Sequence, residues 1–121
     1  MSCKASSKKV LIVEDEFLVA MMIADMLSDL GHDVIGTATN LAAAVQKSSS
    51  LPVDFAVLDV NLNGELSYPA ADALAARGIP FLFATGYSSK GLQERYMSVP
   101  RLQKPFDIRT LERAVLNLHR R

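Results

Sequence analysis

The stretch KVLIVEDE, residues 9–16, joins a short apolar run to three consecutive acidic residues. A continuous apolar run of this length suits a strand that is buried on both faces, as in a parallel sheet. Glu14 and Asp15 follow directly, so they lie at the carboxyl end of that strand. From residue 17 to residue 30 apolar residues recur at helical spacing, and Gly31 is placed to end the helix. The predicted apolar face of this helix consists of Phe17, Ala20, Met21, Ala24, Leu27 and Leu30.

Outward from this stretch, the same strand-then-helix alternation repeats along the chain. Five such units predict an α/β fold, a flavodoxin-like doubly wound five-stranded parallel sheet of order 2-1-3-4-5, or (βα)5. We expect residues 1–7 to form a flexible leader and residues 8–121 a single domain. Asn40 and Asp107 are predicted to cap helices. Predicted strands cover residues 9–13, 34–38, 55–58, 81–84 and 101–103, and predicted helices cover residues 17–30, 40–47, 68–77, 88–96 and 108–118.

Composition and charge exclude several classes of protein. The chain has 121 residues, of which half are hydrophobic, and this is enough for one domain with a full core. Lys plus Arg equals Asp plus Glu at 13 each, so net charge favours neither a nucleic-acid partner nor an acidic partner. The one cysteine, Cys3, has no partner for an internal disulfide. No apolar stretch reaches the ~18 residues needed to cross a bilayer. We therefore expect a cytoplasmic protein.

Polar residues follow four of the five predicted strands. In open α/β sheets, ligands bind beyond the carboxyl ends of the strands. Glu14 and Asp15 follow the first strand, Asp59 the third, Thr85 the fourth and Lys104 the fifth. Three carboxylates, one hydroxyl and one ammonium group are therefore expected at a single edge of the sheet. The loop after the third strand contains Asn61, Asn63 and Gly64.

This set of groups suits phosphoryl transfer. Three neighbouring carboxylates repel one another, so they need a cation or must take up protons. Mg²⁺ is the natural cation because it prefers hard oxygen ligands and pairs with phosphate. Asp59 can attack phosphorus to form an aspartyl phosphate, while Lys104 offsets charge on the phosphoryl oxygens. Thr85 can donate its hydroxyl to such an oxygen, and Asn61 can offer its backbone carbonyl to the metal.

Each residue alone also has an ordinary structural explanation. Glu14 and Asp15 suit the first turn of a helix, where acids interact favourably with the helix dipole. Asp59 alone is typical of a turn, Thr85 of a loop and Lys104 of a solvated surface. The functional interpretation depends on their coincidence at successive strand ends.

The pattern resembles the receiver domain of two-component response regulators over residues 8–118. The matching motifs are Val-Glu-Asp-Glu (13–16), Leu-Asp-Val-Asn-Leu (58–62), Ala-Thr-Gly-Tyr (84–87) and Lys-Pro-Phe (104–106). The resemblance implies that a histidine kinase's phosphohistidine donates a phosphoryl group to Asp59, and that Thr85 and Lys104 contact this group. It further implies a regulatory domain that catalyses at most its own phosphorylation and dephosphorylation, and not an enzyme with a separate substrate. The implied Mg²⁺ ligands are Glu14, Asp15, Asp59 and the carbonyl of Asn61.

Two features set this chain apart within that family. Receivers usually carry Tyr or Phe three residues before the lysine, and here that position is Arg101. The run Phe-Leu-Phe-Ala-Thr-Gly-Tyr, residues 81–87, resembles a subgroup known mainly from alphaproteobacteria, often stand-alone and associated with HWE-type kinases. We hypothesise that residues 88–96 are the mobile element, and that Tyr87 or Tyr96 replaces the missing aromatic.

Other functions fit less well or remain open. Aspartyl-phosphate phosphatases carry their nucleophile after the first strand, with a second carboxylate two residues on, whereas Asn61 occupies that position relative to Asp59. A flavin-binding protein needs a phosphate-binding loop after the first strand, where this chain has acids. A binding module without phosphorylation is a further alternative. A phosphate sink that drains a kinase needs the same pocket as a messenger, so both remain open.

Overall fold

The computed structural model describes residues 7–86, 96 and 98–118. Its main sheet has five parallel strands in the order β2-β1-β3-β6-β7, and a separate antiparallel hairpin pairs β4 with β5. Since the hairpin strands are not part of the main sheet, this is the predicted order 2-1-3-4-5. The predicted fold class is therefore confirmed. The strands are β1 Lys9–Val13, β2 Asp33–Ala38, β3 Phe55–Asp59, β4 Asn61–Leu62, β5 Glu65–Leu66, β6 Phe81–Thr85 and β7 Arg101–Gln103.

Helices cover both faces of the main sheet. Alternate residues of β1 face opposite sides, so Leu11 packs in one core cluster and Ile12 in the other. The first cluster includes residues of α2 and α3, and the second includes residues of α1 and α4. Burial on both faces explains why the strands read as continuous apolar runs. The described helices are α1 Phe17–Asp29, α2 Leu41–Ser50, α3 Tyr68–Ala76 and α4 Ile108–Leu118.

Helix α2 begins as predicted but ends one turn later. The side chain of Asn40 accepts a hydrogen bond from the backbone N–H of Ala43 at 2.8 Å, which is the predicted cap. The sequence predicted that this helix ends at about Lys47, just before three serines. In the structure the hydroxyls of Ser49 and Ser50 donate to backbone carbonyls four residues earlier, at 2.7 and 2.8 Å, so these residues stay helical.

The buried face of α1 differs from the predicted one. Phe17 is 70% exposed and Met21 is 46% exposed, although both belong to the predicted apolar face. The buried positions are Ala20, Ile23 and Leu27. Apolar residues surround most of this helix, so periodicity alone did not select the stripe that contacts the sheet. The prediction for Phe17 and Met21 was therefore wrong.

The predicted loop after Asp59 contains the β4–β5 hairpin. Asn63 and Gly64 both have positive φ, at 54° and 97°. Two central residues in the left-handed region form the two-residue turn that matches the twist of paired strands. Asparagine and glycine are the residues that tolerate this conformation best.

Some sequence predictions lie outside the described residues. These concern the leader up to residue 6, which includes Cys3, as well as Tyr87 and residues 88–95 of the hypothesised mobile element. In the part of the chain that the structure describes, no helix is both long enough and apolar enough to span a membrane.

Candidate phosphoryl-transfer site

Strand register brings the predicted site residues to one edge of the main sheet. Val13 pairs with Leu58, so Glu14 and Asp59 follow at neighbouring strand ends. Asp59 pairs with Ala84, one residue before Thr85. The backbone N–H of Lys104 donates to the carbonyl of Thr85 at 2.7 Å, which places Lys104 immediately beyond β7. All of these residues therefore lie where parallel strands end.

Three carboxylates meet at this edge. One oxygen from each of Glu14, Asp15 and Asp59 lies within 4.8 Å of the others. Glu14 is fully buried, Asp59 is 8% exposed and Asp15 is half-buried. Three hard oxygen donors that converge from one side, with the other side open to a cavity, are the ligand set that Mg²⁺ accepts while keeping several waters. The donor chemistry of these residues fits a magnesium ion.

Lys104 connects two of the acids. Its Nζ lies 2.6 Å from Oε1 of Glu14 and 3.1 Å from Oδ2 of Asp59. Burial raises the pKa of Glu14, and the charge of Asp59 raises it further, while the hydrogen bond from Lys104 opposes both. Burial lowers the pKa of Lys104, but the hydrogen bond to Glu14 and the charges of both carboxylates outweigh burial and raise this pKa overall. Lys104 is therefore an ammonium group at neutral pH, as an electrostatic role requires.

Backbone hydrogen bonds orient the carboxylates. Oδ1 of Asp59 accepts the backbone N–H of Asn61 at 3.2 Å, while Lys104 holds the other oxygen. Oε2 of Glu14 accepts the backbone N–H of Glu16 at 3.1 Å. Because both oxygens of each acid have a partner, the side chains are held before any ligand arrives.

A cavity of about 390 Å³ opens above the carboxylates. Glu14 lies beneath it, fully buried, and does not line it. Sequence reasoning did not include Glu16 or Asn63 among the site residues. Glu16 directly follows Asp15, so its position in the sequence could have predicted it. Asn63 lines the cavity because of its place in the β4–β5 turn, which the sequence alone did not predict. The lining residues are Asp15, Glu16, Asp59, Asn61, Asn63, Thr85, Gly86 and Lys104.

An exposed apolar surface lies beside the cavity. Phe17 and Leu18, just after Glu16, are 70% and 72% exposed, and Met22 is 53% exposed. Met22 also lines a second cavity of about 210 Å³, whose walls are mainly apolar side chains. Adjacent exposed apolar residues of this size are typical of an interaction surface. The second cavity is lined by Val19, Met22, Ile23, Met26, Lys104, Pro105 and Phe106.

The aromatic residues near β6 are core residues. Tyr96, 7% exposed, stacks on Tyr68 with ring centroids 5.7 Å apart and meets Phe83 edge-on at 5.8 Å. Its hydroxyl donates to the carboxylate of Asp72 in α3. The hypothesis that Tyr96 replaces the family aromatic, where this chain has Arg101, stays a prediction.

Comparisons with known proteins agree with the geometry. The chain is similar to SdrG of Sphingomonas melonis Fr1, known from a solution structure, with 44% identity over 98% of both chains and a TM-score of 0.84. It is 32% identical over 115 residues to the transcriptional regulatory protein PdtaR of Mycobacterium tuberculosis, covering 92% of this chain and 56% of PdtaR. It is also 34% identical over 102 residues to the phyllosphere-induced regulator PhyR of Methylorubrum extorquens, covering 81% of this chain and 38% of PhyR.

The chain spans about half the length of PdtaR, and less of PhyR. Both are named as regulators, which agrees with the regulatory domain that the sequence resemblance implies. The matches to SdrG and PhyR agree with the subgroup that the sequence resembles. The family described as response regulator receiver domain matches residues 10–116. The chain therefore belongs to the response regulator receiver domain family, the receivers of two-component signalling.

Proposed function

We propose that this receiver, spanning residues 8–121, accepts a phosphoryl group on Asp59 from the phosphohistidine of a histidine kinase. One observation carries the proposal: the carboxylate of Asp59 lines an open cavity, held between the half-buried ammonium group of Lys104 and two further acids. A nucleophilic carboxylate, a fixed cation and a set of metal ligands are the parts that phosphoryl transfer requires.

The reaction forms one bond and breaks one. A carboxylate oxygen of Asp59 attacks phosphorus, and the P–N bond to the histidine ring breaks. The bonding electron pair goes to the imidazole, which takes up a proton, and an acyl phosphate remains on Asp59. The backbone N–H of Asn61, 3.2 Å from Oδ1, holds the carboxylate for this attack.

Charge on the transferred group must be offset by cations and donors. Mg²⁺, held by Glu14, Asp15, Asp59 and the carbonyl of Asn61, would supply positive charge next to the phosphoryl oxygens. Lys104 supplies a second positive charge on the cavity wall, and its raised pKa keeps it protonated. Thr85 lines the same cavity and can donate its hydroxyl.

The exposed apolar surface of α1 supports a protein as the phosphodonor. Phe17 and Leu18 follow the acidic stretch directly, so a partner that covers them also reaches the mouth of the cavity. An HWE-type kinase is the proposed class of partner, from the likeness to the subgroup. We propose that the protein acts in the cytoplasm and that the phosphorylated form changes its binding to a downstream protein. A phosphate sink uses the same site and is the second possibility.

The test is phosphorylation of the purified chain by acetyl phosphate with Mg²⁺. We expect the wild type to gain one phosphate, seen as a shifted band on a Phos-tag gel and by mass spectrometry, and Asp59→Asn to gain none. Asp25→Asn is the matched control because Asp25 is an exposed residue of α1. A wild type that gains no phosphate, or an Asp59→Asn variant that gains as much, would overturn the proposal. The first result would favour a binding module without phosphorylation.

A further inference from the structure

The β4–β5 hairpin is fixed at its base, its turn and its buried face. At the base, the backbone N–H of Ser67 donates to the carbonyl of Val60 at 2.8 Å. At the turn, Oδ1 of Asn61 accepts the backbone N–H of Gly64 at 2.7 Å. On the buried face, Leu62 is 2% exposed and belongs to a core cluster. A hairpin held at three places presents its other side chains in defined positions.

The opposite face of this hairpin forms part of the cavity wall. Leu62 is buried in the core, while Asn61 before it in β4 and Asn63 in the turn line the cavity. The amide oxygen of Asn61 already accepts a bond from Gly64. Asn63 is the next amide on the same wall, and its own φ of 54° is the one that the turn requires.

The charges around Asn63 explain why a neutral donor matters there. Asp15, Glu16 and Asp59 line the same cavity, and each repels an anion that approaches. Lys104 lines it as well, but its ammonium group is bound to Glu14 and Asp59. An amide in this wall can donate hydrogen bonds to an anion. Because the amide is neutral, it does not form an ion pair with the neighbouring acids.

We propose that Asn63 assists phosphoryl transfer by donating a hydrogen bond from its side-chain amide to an oxygen of the incoming phosphoryl group. This inference rests on the proposed function. Asn63 is not one of the carboxylates or carbonyls assigned to the metal, so its contribution belongs to the phosphodonor and not to the cation. An aspartate at this position would keep the turn and repel the same donor.

Two substitutions separate the amide from the turn. Asn63→Gly removes the side chain, and glycine adopts positive φ without strain, so the hairpin is preserved. Asn63→Asp also tolerates the left-handed conformation and has the same shape, but it replaces the donor with a negative charge. We expect Asn63→Gly to lower the second-order rate constant for acetyl phosphate about fivefold, as for one net hydrogen bond. Asn63→Asp should lower this rate constant further at low ionic strength, and salt at about 0.5 M should remove the additional loss.

The measurements are the phosphorylation rate, the Mg²⁺ dissociation constant by calorimetry, and the unfolding transition for each variant. The inference holds if the rate order is wild type, then Asn63→Gly, then Asn63→Asp, with Mg²⁺ affinity of the glycine variant unchanged. A purely structural role would leave Asn63→Asp equal to the wild type, and this result would refute the inference. A glycine variant as fast as the wild type would refute it too, while leaving phosphorylation of Asp59 intact. A wild type that gains no phosphate would overturn both.

Discussion

Replacing Lys104 with methionine tests the electrostatics of the site directly. The substitution keeps a long apolar side chain but removes the ammonium group that lies 2.6 Å from Glu14 and 3.1 Å from Asp59. The carboxylates of Glu14 and Asp59 have oxygens no more than 4.8 Å apart, with Glu14 fully buried, and they repel each other in both proteins; only in the variant is this repulsion no longer offset by an ammonium group. At an effective dielectric constant of about 20, unit charges ~5 Å apart repel by about 3 kcal/mol. Removing one partner of a buried ion pair costs a similar amount, about 3–5 kcal/mol.

We therefore expect Lys104→Met to lower the free energy of unfolding by about 3 kcal/mol at pH 7 in EDTA. The sign of the pH dependence follows from Glu14, whose pKa is raised in the folded state by burial and whose opposing hydrogen bond is lost in the variant. A raised carboxyl pKa means that the ionised form of Glu14 is less favourable in the folded state than in the unfolded state. The free energy of unfolding therefore falls as pH rises above the ordinary pKa of 4.5. The difference from the wild type should be largest at pH 7 and shrink towards pH 4.5.

The assay is urea unfolding followed by far-UV circular dichroism, since the chain has no tryptophan. Lys9→Met is the matched control, because Lys9 is exposed at the start of β1. Addition of Mg²⁺ should stabilise the Lys104→Met variant more than the wild type, because a divalent cation then replaces the missing charge. A variant as stable as the wild type in EDTA at pH 7 would refute the electrostatic reasoning.

Three further predictions concern the hairpin, a helix cap and the apolar surface. Leu62→Ala should lower the free energy of unfolding by about 2–4 kcal/mol in urea, because a fully buried side chain leaves a cavity, whereas Leu66→Ala on the exposed side of the hairpin should change it by less than about 0.5 kcal/mol. The backbone N–H of Thr110 donates to the carboxylate of Asp107 and lowers the pKa of this carboxyl group. The cap therefore stabilises the fold above the ordinary pKa of 3.8, and this stabilisation is lost as pH falls through the lowered pKa. In thermal unfolding, Asp107→Ala should be less stable than the wild type at pH 7 and equally stable in strong acid. Phe17→Ala should slow phosphotransfer from the cognate kinase about tenfold, as for an interface residue worth more than 1 kcal/mol, with the acetyl phosphate rate unchanged; an equal loss with both donors would contradict a docking role.

Local patterns in the sequence determined most of the fold. The apolar run before Glu14 and the similar run before Asp59 predicted buried parallel strands, because burial on both faces requires apolar residues at every position. Asn40 was predicted to cap a helix from its own chemistry, and the cap is present. The grouping of Glu14, Asp59 and Lys104 also followed from the sequence, since parallel strands that each end in a polar residue must bring those residues to one edge.

Only the tertiary structure decided the features that depend on distant residues. The exposure of Phe17 depends on how α1 lies on the sheet, and the local sequence does not specify whether an apolar residue contacts the sheet or the solvent. The bridge from Lys104 to Glu14 joins residues 90 positions apart, so its length is set by strand register and not by either motif. Asn63 lines the cavity because β4 pairs with β5 and places it in the turn between them, and the local sequence of this short stretch predicts only a loop. In each case the deciding contact is made after the chain has packed, and local pattern therefore does not contain it.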